Sequence, residues 1–578
     1  MIELYVRFLR PRWKKVVLIV LLSLLATLCS LLLPMLSKRI IDEGVLSGQN
    51  VSYSGTVAVM AVIAVLSMVF PAVNGRFIAE TAMGFSRDLR TAFFSHVLGL
   101  SQRDLDRVGT ASLISRQGND IMQMQTGLVQ LLTFMLTAPL MCIGGMAVAL
   151  MTSPRLAWIV LLAVAACLVF VAFVVGRVRV IFLSYQEKLD SVNRLVRESL
   201  SGMRVIRAFN REESEQERFS KVGGELKGSA LHLSRYVLSF PPVMNFIVSF
   251  ANILILWFGA HYMTDHLATY GDVQAFIQYL SLIVFGMMML SVGLIVLPRV
   301  QTAGGRITEV LHIVPSVQDA EQPAELEGPV RSLEFQGVSF RYGEGGAYAL
   351  SDISFRVSAG QTLAIIGGTG SGKSTLLNLI PRYYDASEGT VLVNGRDIRD
   401  LRQEELRSRI GVVPQKAFLF SGTILDNLRR GKADATEEEA GHALDVARAR
   451  DFVEEKEYGL YTCLTPGGTN LSGGQKQRLA IARAIIRKPD IYLFDDSFSA
   501  LDFKTDAELR HALKEETRDA IVVIVAQRIS TIKAADLILV LEDGKLVGKG
   551  THSELLAESE VYREIARSQL SKEEMEAG

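Results

Sequence analysis

The stretch GGTGSGKST, Gly367–Thr375, has the residue types and spacing of a phosphate-binding loop. It follows the apolar run TLAII and precedes LLNLI, so it falls between an expected strand and an expected helix. Glycines at Gly367, Gly368, Gly370 and Gly372 let backbone N–H groups approach phosphate oxygens, with Thr369, Ser371 and Thr375 in the same cradle. Lys373 is placed to reach the terminal phosphates and the Ser374 hydroxyl to hold Mg²⁺. A carboxylate for that ion lies downstream in YLFDDSFSALD, Tyr492–Asp502. Ile491–Phe494 reads as a buried strand, with Asp495 at its end as the partner acid for Mg²⁺. Asp496 follows directly.

Such a loop needs an α/β domain to carry it, and the neighbouring sequence supplies one. Across residues 331–578, short β-branched runs alternate with helical patterns. Residues 316–330, SVQDAEQPAELEGPV, are polar, acidic and proline-containing and read as a linker. Residues 1–315 have another texture. The chain is 49% apolar, high for a protein dissolved in water, and the apolar residues concentrate here. Six stretches, near residues 16–36, 55–74, 128–151, 156–176, 236–262 and 273–298, are almost uncharged and each long enough for a helix to cross a bilayer. The first follows RFLRPRWKK and exceeds the apolar core of a signal peptide, so it reads as a retained span.

The links after the second and fourth spans are long and basic, whereas HYMTDHLATYGD after the fifth has no Lys or Arg. Positive residues mark the cytoplasmic side. Both termini, both long loops and the α/β domain are therefore expected inside a cell membrane crossed six times. Apolar residues of the long loops recur at helical spacing, as at Val192, Leu195, Val196 and Leu200. The spanning helices are expected to run on past the bilayer and to join by short turns. Cys29, Cys142, Cys167 and Cys463 form no close pair or zinc spacing and read as small buried hydrophobes. The 61 Lys and Arg balance 61 Asp and Glu, so charge gives no argument for nucleic acid as a partner.

NLSGGQKQRLAIARA, Asn470–Ala484, opens a helix with Ser472, Gly473, Gly474 and Gln475, a setting that favours an anion. With the glycine loop upstream and FDDSFSALD downstream, it resembles the signature of ABC transporters. Six spans followed by this domain resemble a half-transporter of the ABC exporter family over nearly the whole chain. The resemblance implies an α-helical membrane domain of six transmembrane helices, exporter type, and an α/β P-loop ATPase domain. It implies ATP and Mg²⁺ as cofactors. It also implies roles at matching positions. Tyr342, in FRYGEGG, would stack on adenine, and Gln415, in VVPQ, would reach Mg²⁺ and the attacking water. SALD, Ser499–Asp502, would cross a dimer interface. Two such domains would sandwich two ATPs, each between one glycine loop and the other domain's signature. Helices near residues 101–110 and 205–215 would dock on these domains.

Three positions depart from the family's pattern. Asp496 stands where the catalytic glutamate is usual, and its carboxylate is withdrawn by about one C–C bond, roughly 1.5 Å. Base catalysis depends on reach to the attacking water. Gln527, in AIVVIVAQRIS, stands where the family usually has His; it donates a hydrogen bond but cannot carry positive charge. Pro466, in TPGGTN, replaces a usual glutamate. The signature is unaltered. The combination resembles the degenerate-site subunit of a heterodimeric bacterial multidrug exporter. Such a subunit is impaired at its own ATP site and completes the site of a different half-transporter. Small hydrophobic or amphipathic compounds are the expected cargo, from the methionines and aromatics of VFGMMMLSVGLIVL and PPVMNFIVSF. Lipids or peptides are alternative cargo, and the same side chains also suit plain helix packing. An ATP-gated regulatory or channel-like subunit is a second class that fits these residues.

Overall fold

The computed structural model of the chain describes residues 1–45, 54–343 and 345–569. Residues 570–578, the end of the expected ATPase domain, lie outside them. The chain divides into two compact units: Met1–Leu98 with Thr110–Ile313, and Gly99–Gly109 with Val314–Gly578.

Among the described residues, the first unit has six helices long and apolar enough to cross a membrane: Ile2–Glu43, Ser54–Leu98, Thr110–Thr152, Pro154–Ser201, Glu212–Thr264 and Tyr270–Leu311. Every apolar stretch read from the sequence lies inside one of them. At 42 to 53 residues the helices outrun a bilayer, which is where the long basic loops go. Short helices make the connections. Gln102–Val108, which falls in the second unit, starts at a capping box of Ser101 and Asp104 and stops at Gly109. Met203–Ala208 follows Gly202.

With lipid as solvent, these helices associate through close packing and internal polar contacts. Gly127 lies so near the last spanning helix that a Cβ on it would stand 2.3 Å from Val300 Cγ2. Asn74 Nδ2 donates to Ser23 Oγ at 2.9 Å between the first two spans. Met244 and Met287 are buried in a cluster with Ile255, Phe276 and Tyr279, and Met288 packs against it. These methionines pack between helices, the reading their composition allowed beside a cargo surface. The cysteine reading needs correction. Cys29 and Cys167 are buried and Cys142 half-buried, but Cys463 is exposed, because it lies in a two-residue strand at the surface.

Among its described residues the second unit contains twelve strands: β1 (Ser332–Phe340), β2 (Leu350–Ser358), β3 (Thr362–Gly367), β4 (Glu388–Val393), β5 (Arg396–Asp397), β6 (Ile410–Val413), β7 (Gly422–Thr423), β8 (Cys463–Leu464), β9 (Ile491–Asp495), β10 (Ile521–Val525), β11 (Leu537–Glu542) and β12 (Lys545–Gly550). β7 and β8 pair with each other; the rest form one sheet in the order β5-β4-β1-β2-β12-β11-β3-β10-β9-β6. β6, β9, β10, β3 and β11 run parallel. Their apolar runs are continuous because both faces are covered. Alternate residues feed two cores. Ala364, Ile366, Tyr492, Phe494, Val522 and Ile524 face one; Leu363, Ile365, Ile491, Leu493, Val523 and Val525 face the other.

Residues 316–330, expected as a linker, are tied to this unit. Ala324 N donates to Asp400 O at 2.8 Å, Leu326 N to Glu405 Oε1 at 2.8 Å and Val330 N to Asp490 Oδ2 at 3.0 Å. Leu326 and Val330 are buried. The segment's backbone donates these bonds, and Leu326 and Val330 are its apolar anchors.

Gly127 and Gly75 offer a paired test of the packing. Gly75 has nothing within 4 Å of an added Cβ, so Gly75→Ala gains helix propensity and leaves stability unchanged or raised. Gly127→Ala forces a stiff valine aside and is expected to cost about 1–3 kcal/mol. Thermal unfolding of the purified protein in one lipid mixture checks the difference.

Candidate functional site

β3 delivers the chain into the glycine loop at a point where no side chain fits. A Cβ on Gly367 would stand 2.1 Å from Leu541 O. Gly368, Thr369 and Gly370 are exposed, and open space lies in front of Gly368 and Gly370. Gly372, at φ +97°, turns the chain into the helix Lys373–Leu379. Lys373 Nζ folds back to donate to Gly367 O at 2.9 Å and Gly368 O at 2.6 Å. Ser371 is buried at 4% exposure, and its Oγ is without a partner. Burial lowers the Lys373 pKa; Asp496 and Asp495 oppose that shift.

Two strand ends face this loop. Asp495 closes β9, and its Oδ1 accepts from Ser374 Oγ at 3.0 Å. Burial raises the Asp495 pKa, and neighbouring Asp496 adds to the rise, against Ser374 and Lys373. Asp496 is nearly buried and has a left-handed backbone, φ +47°. Its Oδ2 accepts from Gln527 Nε2 at 2.9 Å and from Gln415 Nε2 at 3.3 Å. Gln527 stands two residues past the end of β10. Tyr342 OH pairs with Thr375 Oγ1 at 2.9 Å while nearly half of Tyr342 stays exposed.

The structure thus brings Tyr342, Lys373, Ser374, Thr375, Gln415, Asp495, Asp496 and Gln527 to one place. Ser472–Gln475 make a site of their own. Ser472 caps the helix Gly473–Ile485, its Oγ accepting from Gln475 N at 3.3 Å while Gln475 Oε1 accepts from Ser472 N at 3.0 Å. Gly473 has nothing within 4 Å of an added Cβ. Pro466 begins the turn Pro466–Gly468, where a missing N–H costs nothing. Gly467 N then donates to Leu419 O at 3.0 Å, joining this turn to the segment after Gln415.

The residues present fit a nucleotide with Mg²⁺. The loop offers an open cradle, a lysine bonded only to loop carbonyls and an orphaned buried hydroxyl. Among the described residues, no group of three or more His, Cys, Asp or Glu could hold a metal ion. Ser374, Asp495 and Gln415 are the side chains that would hold Mg²⁺, which ordinarily takes few protein ligands and completes its shell with phosphates and water. Bound there, the ion would neutralise phosphate charge.

Sequence reading missed two supporting residues. Gln477 Nε2, from a buried side chain on the signature helix, donates to Pro414 O at 3.1 Å and so fixes the residue before Gln415. Tyr384 packs edge-on against Tyr342, ring centroids 5.4 Å apart, and its OH donates to Asp106 Oδ2 at 2.7 Å. Burial, then Asp106, pushes its phenol pKa up. A buried polar residue in an apolar helix face could have flagged Gln477; nothing local flags Tyr384. Tyr384→Phe keeps the ring and removes the bond. We expect amide exchange across Gln102–Val108 to accelerate by roughly tenfold, the worth of one hydrogen bond to a charged group, with nucleotide affinity unchanged. Exchange mass spectrometry measures the first and nucleotide titration the second.

Two family models match the chain: ABC transporter transmembrane region over residues 16–288 and ABC transporter over residues 350–499. An uncharacterized ABC transporter ATP-binding protein of Mycobacterium tuberculosis is 39% identical, covering 97% of both chains. A putative multidrug export ATP-binding/permease protein of Bacillus subtilis is 30% identical over 97% of this chain and 98% of its own. The ATP-dependent lipid A-core flippase of Desulfotalea psychrophila is 34% identical over 81% of this chain and 82% of its own. A solved structure of a bacterial Atm1-family ABC exporter with ATP bound aligns with a TM-score of 0.81 at 26% identity, covering 98% of this chain and 99% of that one. The chain belongs to the ABC transporter family, as an exporter half-transporter whose six-helix membrane domain is fused to an ABC ATPase domain.

Proposed function

We propose that this multi-pass, ATP-driven exporter subunit works as one half of a heterodimer. It holds ATP at its own glycine loop and lends its signature to the site where a different half-transporter hydrolyses ATP. The observation that carries the reading is the bond between Asp496 and Gln527, 2.9 Å from Nε2 to Oδ2. Both positions depart from the family's pattern, and they depart as a bonded pair. The shorter acid is withdrawn from an attacking water, and one of its oxygens already accepts from two amides. Gln527 supplies no positive charge to the γ-phosphate side.

Binding is left intact. Tyr342 is exposed for adenine, Gly367–Thr375 cradle phosphate, and Ser374, Asp495 and Gln415 serve Mg²⁺. The signature keeps a capped helix start at Ser472, with Gly473 open to a γ-phosphate. A homodimer of this chain would have two weak sites; a partner with the usual acid and His would have one strong site completed by Ser472–Gln475. The charge asymmetry of the loops supports a cytoplasmic side for the ATPase domain, both termini and both long loops. Amphipathic or hydrophobic small molecules are the proposed cargo. Two relatives, one named a putative multidrug export protein and the other a lipid A-core flippase, support that class.

The test compares two lesions in the assembled pair. Asp496→Asn is expected to change steady-state ATPase activity by no more than about twofold, since loss of a positioned base costs roughly 10²–10⁴-fold only where that base works. Ser472→Ala combined with Gly474→Asp is expected to lower activity by at least roughly tenfold, because it removes a γ-phosphate contact and adds a repelling carboxylate. Size exclusion verifies assembly. Loss of activity with the first lesion and retention with the second would reverse the assignment of the sites. Vigorous ATPase from this chain reconstituted alone would refute the heterodimer.

A further inference from the structure

The helix Glu560–Gln569 runs past the ATP site's supporting loop and ends on it. Tyr562 and Ala566 are fully buried, and Val561 and Ile565 pack against the same core. Tyr562 OH is bonded to His552 Nδ1 at 2.7 Å, which fastens this helix to the preceding one, His552–Glu558. The ring contact and the apolar face fix where the last turn lies.

At that last turn, one carboxamide bridges the loop after β10. Gln569 Nε2 donates to Gln527 O at 2.7 Å, and Gln569 Oε1 accepts from Ile529 N at 2.8 Å. Ile529 N–H is the first donor of the short helix Ile529–Ile532 and has no partner within that helix. The two bonds use opposite ends of the amide, so its orientation is determined by the backbone it meets. A carboxamide carries such a donor and acceptor side by side on one planar group. Gln527 is therefore held twice: its carbonyl by Gln569, its side chain on Asp496 Oδ2 at 2.9 Å.

We propose that Gln569 is a positioning residue for the ATP site, acting through Gln527. The last described turn clamps residues 527–529 so that the Gln527 carboxamide stays on Asp496, at the side of the glycine loop where Ser374 meets Asp495. Releasing the clamp frees Gln527 to swing away, and the site loses its hold on the terminal phosphate but not on the rest of the nucleotide. The inference rests on the reading of this site as one that binds ATP.

The experiment uses the full-length protein in nanodiscs with fluorescent ATP and ADP analogues, measuring dissociation of each. Gln569→Ala is expected to release the ATP analogue roughly three- to tenfold faster, while the ADP analogue changes by less than about twofold. Gln569→Glu keeps the acceptor and loses the donor; it is expected to show part of the same change with an unaltered melting temperature, which separates positioning from unfolding. In a Gln527→Ala background, Gln569→Ala is expected to add nothing. Equal weakening of ATP and ADP, no change with either variant, or an undiminished effect without the Gln527 side chain overturns the proposal. A wild-type protein that does not prefer ATP to ADP overturns the reading of the site itself together with the clamp.

Discussion

The registers of β3, β10 and β9 decide where each polar group of the ATP site stands. Val525 lies opposite Ile365 on one side and Asp495 on the other. Because the three strands are parallel, their C-terminal ends emerge at one edge, where ligands of α/β sheets bind. Gly367, Asp495 and the segment leading to Gln527 leave the sheet there. A slip of one residue would exchange the two cores and turn Asp495 away from Ser374. The strands resist it because Leu363, Leu493 and Val523 fill one core while Ala364, Phe494 and Ile524 fill the other. The chemistry of the site therefore depends on hydrophobic burial well below it.

At the edge, charge is handled locally. Lys373, Asp495 and Asp496 converge, and burial works against the charged forms of Lys373 and Asp495. Each group has a neighbour that offsets that cost: loop carbonyls for Lys373, Ser374 for Asp495, two carboxamides for Asp496. Where the family's usual His could add a cation, Gln527 brings only dipoles. The acid it meets accepts from two carboxamides through Oδ2.

The parts of this arrangement that are local in the chain were legible beforehand. The glycine loop is a contiguous strand–loop–helix motif, and the spans are contiguous apolar runs, so neither needs tertiary information. Ser472–Gln475 announced its helix start by a serine and two glycines. The bonds that unite the site were not legible. Tyr384 reaches Asp106 across 278 positions and Gln569 reaches Gln527 across 42, and a lone Tyr or Gln carries no periodic signal that names its partner. Met287 and Met244 show the converse. Flexible side chains on an apolar span suit a ligand or a neighbour equally well by composition, and only the packed structure assigns them to a neighbour.

The left-handed backbone at Asp496 bears on which side chains this position accepts. Asp and Asn tolerate φ near +47° better than longer side chains do, because a short polar group can bond close by. Asp496 also accepts from two carboxamides on one oxygen. A longer acid placed here would meet a less favourable main chain and two amides set for a shorter reach, so local conformation and bonding select the same side chain.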